Sequence, residues 1–158
     1  IGKLGRVGDL WPKVGHHRET LPHFRAAAEG NLLIAEVNGL LRSRAESSGA
    51  RIDAIYYCPH HPSAGAPPYR QDCDCRKPRP GMLRRASQDL DIDLSKSWVV
   101  GNRLGDLELA WNAGARACLV KTGYGLGEIE YWMSGWKRQP DLIAENALDA
   151  ALRIVEGA

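Results

Sequence analysis

The run from Cys58 to Pro80 constrains this chain more than any other, because it carries three of the four cysteines and six of the nine prolines. Proline fixes φ and has no N–H to donate, so a segment this rich in it forms neither a helix interior nor a central strand. A loop of about twenty residues remains, and loops of that length in compact domains are either stapled or functional. The means of stapling is present. Cys58-x-His60 and Cys73-x-Cys75 stand as two close pairs with twelve residues between them. Three thiolates and one imidazole complete a tetrahedral zinc set, and a set with no open position is structural rather than catalytic. In a reducing compartment such spacing indicates metal before disulfide. His61 is an alternative to His60 as the fourth ligand. Buried free thiols beside a solvated histidine are the competing reading, but a loop holding Pro59, Pro62, Pro67 and Pro68 offers little core to bury them. Cys118 differs: it sits inside the apolar run ACLV and is expected to be core.

Around this loop the pattern is regular. Residues 1–30 show no sustained period and are interrupted by glycine and proline, which predicts an irregular arm. From Asn31, a candidate N-cap, Leu33, Val37, Leu40 and Leu41 recur at helical spacing as far as Gly49, predicting an amphipathic helix. Ala54 to Tyr57 predicts a short buried strand that delivers Cys58. Then follow a helix over Met82–Leu90, a strand over Ser97–Val100, a helix over Asp106–Asn112 closed by Gly114, and a strand over Ala117–Val120. A glycine-rich turn (TGYGLG, 122–127), a tryptophan-rich segment from Tyr131 to Trp136, a short strand at Leu142–Ala144 and a last helix over Ala147–Val155 complete the chain. Strand and helix alternating in this rhythm define the α/β class with a parallel sheet. No internal repeat or domain boundary interrupts it.

Composition enters as an exclusion. With 44% hydrophobic and 25% charged residues the chain is neither disordered nor fibrous. Lysine and arginine number 21 against 19 acidic residues, and a net charge of +2 leaves no footprint for nucleic acid or a membrane surface. No apolar run approaches the roughly 20 residues that span a bilayer, and no signal-peptide pattern opens the chain, so the expected location is cytoplasmic. A local anion site is nevertheless written into Arg76-Lys77-Pro78-Arg79-Pro80-Gly81, where two prolines stiffen three cations. Arginine suits a phosphate as a fork and lysine as a point charge, and the position is the carboxyl side of a strand, where open α/β sheets bind ligands. The competing reading is a solvated basic turn.

A third element, Val99-Val100-Gly101-Asn102-Arg103-Leu104-Gly105-Asp106, runs from strand through turn to helix. A carboxylate at such a strand end commonly holds Mg²⁺. Here Asn102 offers a neutral amide oxygen instead. Asp106 is either a first-turn helix cap or a group standing just outside the ion's own ligands. Trp132 and Trp136 are expected to cover the core rather than a partner surface.

IDAIYYCPHHP (52–62), CDCRKPRPGM (73–82), VVGNRLGDLELAWNAG (99–114) and VKTGYG (120–125), in this order, resemble the D-glycero-D-manno-heptose 1,7-bisphosphate phosphatases and related histidinol phosphatases of the haloacid dehalogenase superfamily. The likeness covers about residues 30–150. It implies a Rossmann-like parallel sheet with flanking helices, residues 31–158 being the C-terminal portion of the phosphatase domain and 1–30 an atypical arm. It also implies a Mg²⁺-dependent hydrolase that removes the 7-phosphate of a small phosphorylated sugar as a monomer, with histidinol phosphate as the alternative substrate. By the same resemblance Cys58, His60, Cys73 and Cys75 bind structural zinc, Arg76 and Arg103 recognise substrate, Lys77 neutralises the phosphoryl group in flight, and Asn102 stands at the magnesium position. Such enzymes attack phosphate with an aspartate and use a second aspartate two residues later as acid and base.

The chain departs from that pattern. The opening Asp-x-Asp-Gly-Thr motif and the later Thr-Asn-Gln-Ser-Gly motif are absent, and the only aspartate before residue 50 is Asp9, in GDLWP. The nucleophile is therefore unassigned, and the N-terminal strands that occupy the middle of the family's sheet are expected to be missing. Together with a first residue that is Ile1 rather than methionine, this predicts a truncated, frameshifted or decayed copy. The competing function is a non-catalytic, zinc-stapled module that binds phosphosugars or a partner chain.

Overall fold

The computed structural model describes residues 26–157, so the expectations for residues 1–25, Asp9 among them, lie outside the described residues. Its centre is a parallel sheet of three strands in the order β1 (Trp98–Gly101), β2 (Arg116–Val120) and β3 (Leu142–Ala144). Trp98 pairs with Arg116 across the first ladder and Cys118 with Leu142 across the second. In β2 the four residues Ala117 to Val120 are all buried. A parallel strand covered on both faces reads as such an unbroken apolar run.

Alternation along β2 sorts the core into two clusters. Ala117 and Leu119 join Leu107 and Ala110 of α3 (Leu104–Ala113), with Trp111, Ile143 and Trp136 packed around them. On the opposite face Cys118 and Val120 join Leu142, Ala144 and Ala150 of α5 (Ala147–Val155), with Trp98 and Ile154 packed against them. Cys118 is fully buried, and burial pushes its thiol up. Helix ends follow the residues that cap them. Gly114 closes α3 in the left-handed region at φ 81°, returning its N–H to the carbonyls of Ala110 and Trp111. Asn146 opens α5, its Oδ1 accepting from the N–H groups of Leu148 and Asp149 at 3.0 Å each. The helix α2 (Gly81–Leu90) follows the proline loop, and the single turn α4 (Gly125–Gly127) follows β2 and leads into a wider turn over Glu128–Trp132.

Three expectations are corrected. The first helix, α1 (Ala26–Ser47), begins at Ala26 rather than at Asn31, so residues 26–30 are helical and Asn31 lies within the helix instead of capping it. Three consecutive alanines, the best helix formers, extend it there. Secondly, Ala54 to Tyr57 forms no strand, because no neighbouring strand among the described residues offers it a ladder. Side chains hold the segment instead: Arg42 donates from Nη1 to the Ile52 carbonyl at 2.8 Å, and the Tyr56 hydroxyl donates to Asp89 at 2.9 Å. Thirdly, the tryptophans divide: Trp136 packs on the core, whereas Trp132 is 67% exposed.

Asp141 fastens β3 to the rest. Its Oδ2 accepts from the Ala117 N–H at 2.8 Å and from Trp111 Nε1 at 3.2 Å, and its Oδ1 accepts from Arg138 at 3.1 Å. Burial pushes this carboxyl up, but the hydrogen bonds from Ala117, Trp111 and Arg138 outweigh it and hold it below the usual carboxylate range. A shielded hydrogen bond to a charged group contributes about 1.5–3 kcal/mol and exposed ones far less. Of these three only the bond from the Ala117 N–H is part-buried, so Asp141→Ala is expected to lower unfolding free energy by about 2 kcal/mol at pH 7. A depressed carboxyl stabilises above its unfolded value of about 3.9 and ceases to do so as pH falls through the folded value. Urea unfolding of both proteins should therefore show the difference narrowing below about pH 4; a pH-independent difference would refute the charged contribution.

Candidate metal cluster and anion-binding site

The proline loop between Cys58 and Pro80 contains turns and a single isolated bridge, His61 to Arg70. It folds so that the ligand atoms of Cys58, His60, Cys73 and Cys75 lie within 4.8 Å of one another. The Sγ of Cys75 is 3.2 Å from that of Cys58 and 3.3 Å from that of Cys73, and the Cys58 and Cys73 sulfurs are 3.5 Å apart. Nδ1 of His60 stands 3.3 Å from Cys75 and 3.9 Å from Cys58. A tetrahedral ion with metal–sulfur bonds of about 2.3 Å separates its sulfurs by about 3.8 Å, so this cage has the size of one ion, slightly contracted. His61 turns elsewhere: its Nδ1 accepts from the N–H groups of Ser63 at 3.2 Å and Ala64 at 2.9 Å.

The thiols already differ in the free cluster. Burial pushes Cys73 up, but hydrogen bonds with Cys75, His60 and Cys58 outweigh it and bring this thiol down to about 7. In Cys75 burial is joined by hydrogen bonding to Cys58 and Cys73 and by their charge, and the thiol is pushed up to about 12. Three sulfurs this close to one another cannot all ionise without a cation among them.

The basic turn follows directly. Arg76 donates from Nη1 to the His60 carbonyl at 2.9 Å, and Arg79 donates to the Cys73 carbonyl at 2.6 Å while pairing with Asp72. Both arginines therefore grip the loop that carries the metal ligands. Lys77 reaches away from it. Its Nζ lies 2.7 Å from Oδ1 of Asp106, whose side chain is only 14% exposed. The other oxygen, Oδ2, accepts from the backbone N–H groups of Asn102 at 3.1 Å and Arg103 at 3.2 Å. This close turn requires glycine at 101, since a Cβ there would collide with the Asp106 side chain.

Lys77, Asn102, Arg103, Gly105, Asp106 and Glu128 line a cavity of about 470 Å³ at the carboxyl end of β1 and the first turn of α3. The N-terminus of a helix favours an anion, and a lysine and an arginine converge on it. Arg76 and Lys77 also line a neighbouring cavity with Tyr56, Tyr57, Cys58 and Met82. Magnesium asks for hard oxygens with one or two carboxylates. Asn102 offers a neutral oxygen, its amide nitrogen donating to the Thr122 carbonyl at 3.4 Å, and both oxygens of Asp106 are already engaged. These residues by themselves do not make a magnesium shell. Tyr124, whose ring lies under the Arg103 guanidinium, and Glu128, which also lines the cavity, are not among the residues singled out from sequence. The signal available for both was their place in the segment that follows a strand of a parallel sheet.

Comparison with known proteins agrees with this architecture. A profile described as HAD-hydrolase-like matches residues 74–150, about half of the chain, and supports that family assignment. The chain is also similar to proteins named D-glycero-beta-D-manno-heptose-1,7-bisphosphate 7-phosphatase. It is 40% identical to that of Haemophilus ducreyi over 66% of this chain and 54% of the relative. It is 50% identical to that of Escherichia coli K12 over 46% of this chain and 38% of the relative. The chain thus spans about half the length of the curated relatives it matches, or less. Among solved structures it superposes on the D,D-heptose 1,7-bisphosphate phosphatase of B. bronchiseptica, complexed with magnesium and phosphate, with a TM-score of 0.69 and 29% identity, covering 84% of this chain and 70% of that one.

Titration of the metal-free chain with Zn²⁺ in a weakly buffered indicator solution at pH 7 is expected to end at one ion per chain with release of protons, because the ligands must be deprotonated and the Cys75 thiol lies at about 12. Cys75→Ser should abolish the sharp end-point; an unchanged end-point in that variant would remove Cys75 from the ligand set.

Proposed function

We propose that the chain acts on D-glycero-β-D-manno-heptose 1,7-bisphosphate, the substrate in its relatives' names, and takes the 7-phosphate into the cavity between Lys77 and Arg103. The observation that carries this reading is the convergence of Lys77, Arg103 and the α3 N-terminus on one cavity at the carboxyl edge of the sheet. Lys77 supplies a point charge whose direction is set by Asp106, and Arg103 supplies planar donors. Zinc in the Cys58–His60–Cys73–Cys75 cluster holds the loop that delivers Lys77, the donor set being that of a closed structural site. Arg76 joins it through the His60 carbonyl, so its role in this reading is to orient the loop behind the substrate.

A second reading, a module that binds the phosphosugar without hydrolysing it, is favoured by the state of the carboxylates. Among the described residues lining the cavity, Asp106 has both oxygens engaged, and Glu128 is the remaining carboxylate. Asn102 adds no charge. Histidinol phosphate is the alternative ligand on the same residues.

Phosphate release from the heptose bisphosphate, with Mg²⁺ and one zinc per chain, separates the two readings. Turnover above roughly 0.1 per second supports the phosphatase, and Lys77→Ala should then lower it roughly a hundredfold, the usual cost of one preorganised donor. Saturable binding without release supports the non-catalytic module. Neither release nor binding sinks both, and preference for histidinol phosphate overturns the choice of substrate.

A further inference from the structure

Arg103 is held in a way that leaves its charge uncompensated. Its Cζ lies 3.7 Å from the centroid of the Tyr124 ring, nearer than any other guanidinium stands to a ring among the described residues. Two comparable stacks are neutralised by an acid: Arg85 over Tyr56 also pairs with Asp89, and Arg138 over Trp111 with Asp141. Among the described residues no carboxylate pairs with Arg103. A guanidinium lying flat on a ring keeps its N–H groups, which are in its plane, open at the edge.

The ring, for its part, is placed by backbone. Tyr124 sits between Gly123, which adopts φ +66° and has no room for a Cβ beside the Asn102 amide, and buried Gly125, where a Cβ would strike the Val120 carbonyl. The Thr122 carbonyl accepts from both Asn102 Nδ2 at 3.4 Å and the Gly125 N–H at 3.3 Å, locking this turn onto the turn that carries Arg103. Yet the Tyr124 side chain is no part of the core, being 63% exposed. A residue so tightly fixed in backbone and so open in side chain is placed to act through the arginine stacked on its ring.

We propose that Tyr124 is a positioning residue: its ring holds the Arg103 guanidinium at the mouth of the cavity shared with Lys77, orienting it for a phosphoryl oxygen without neutralising it. The inference rests on the reading of Arg103 as a phosphate ligand. A cation on an exposed ring gains modestly, so loss of the stack should weaken phosphate binding roughly two- to fivefold.

The test uses the full chain with zinc and inorganic phosphate as probe, with the dissociation constant read by ¹H–¹⁵N NMR from the amides of Gly105 and Asp106. Tyr124→Phe keeps the stack and should bind as the parent does; Tyr124→Leu keeps apolar bulk without a π face and should bind two- to fivefold more weakly, as should Tyr124→Ala. The Arg103 Nε–H resonance gives a second readout, shifted upfield by the ring in the parent and in Tyr124→Phe and returned toward the free-arginine position in the other two. Parent-like binding in Tyr124→Leu and Tyr124→Ala, or a Tyr124→Phe that behaves as they do, overturns the positioning role. If Arg103→Ala binds phosphate as tightly as the parent, the reading of Arg103 itself fails; weakened Arg103→Ala beside parent-like Tyr124→Ala overturns only the inference about Tyr124.

Discussion

The Asp106 carboxylate joins the parts on which everything else depends. One oxygen receives two backbone N–H groups of the turn after β1, and the other receives Lys77 from the far end of the proline loop. A carboxylate saturated by donors is expensive to displace, because each donor would be left unpaired in a partly buried place. The consequence is geometric: the basic turn cannot shift without moving the first turn of α3. The metal loop, the sheet edge and the helix N-terminus therefore behave as one body at the point where an anion would sit.

That body also explains how its cations are divided. Three of them stand within four residues, and unshared they would repel one another. Arg76 and Arg79 are drawn back onto carbonyls of the cysteine loop, and Arg79 is further balanced by Asp72. Lys77 alone of the three faces Asp106 and the cavity. Arg103 comes from the turn after β1, so that the two positive groups around the cavity arrive on separate supports. Separate supports let their spacing be set by the sheet rather than by mutual repulsion.

Much of this was legible in sequence because it is local. The strands at 98–101, 116–120 and 142–144 are short apolar runs bounded by turn residues, and Gly114 and Asn146 mark helix ends by their own backbone and side-chain preferences. The three cysteines of the cluster, with a histidine from the pair beside Cys58, were legible by spacing. What was not legible depended on something distant. Ala54 to Tyr57 has strand composition, yet a strand exists only where a neighbour completes its hydrogen bonds, and here side chains from α1 and α2 hold it instead. Whether His60 or His61 faces the thiols is decided by loop backbone, which offers His61 two amides of its own. The contact between Arg103 and Tyr124 joins residues from two turns that no periodicity relates.

The distribution of apolar burial shows where the fold's own stability resides. Among the described residues every buried hydrophobic lies between Leu107 and Ala150, inside the stretch that the family profile matches, and none of those described comes from α1. Along α1, Leu33, Val37, Leu40 and Leu41 are each at least 47% exposed, although their spacing makes a single face. Burying a leucine contributes about 1.5–3 kcal/mol, and α1 forgoes most of that on four positions. An isolated helix of this length in water rests on its intrinsic propensity, which is marginal without tertiary packing. The sheet with α3 and α5 is therefore the cooperative unit, and the Arg42 bond to Ile52 joins α1 to the segment that leads into the metal loop. Order in that loop then follows from its own cross-links, the thiol and imidazole cluster and the two arginines, rather than from the helix before it.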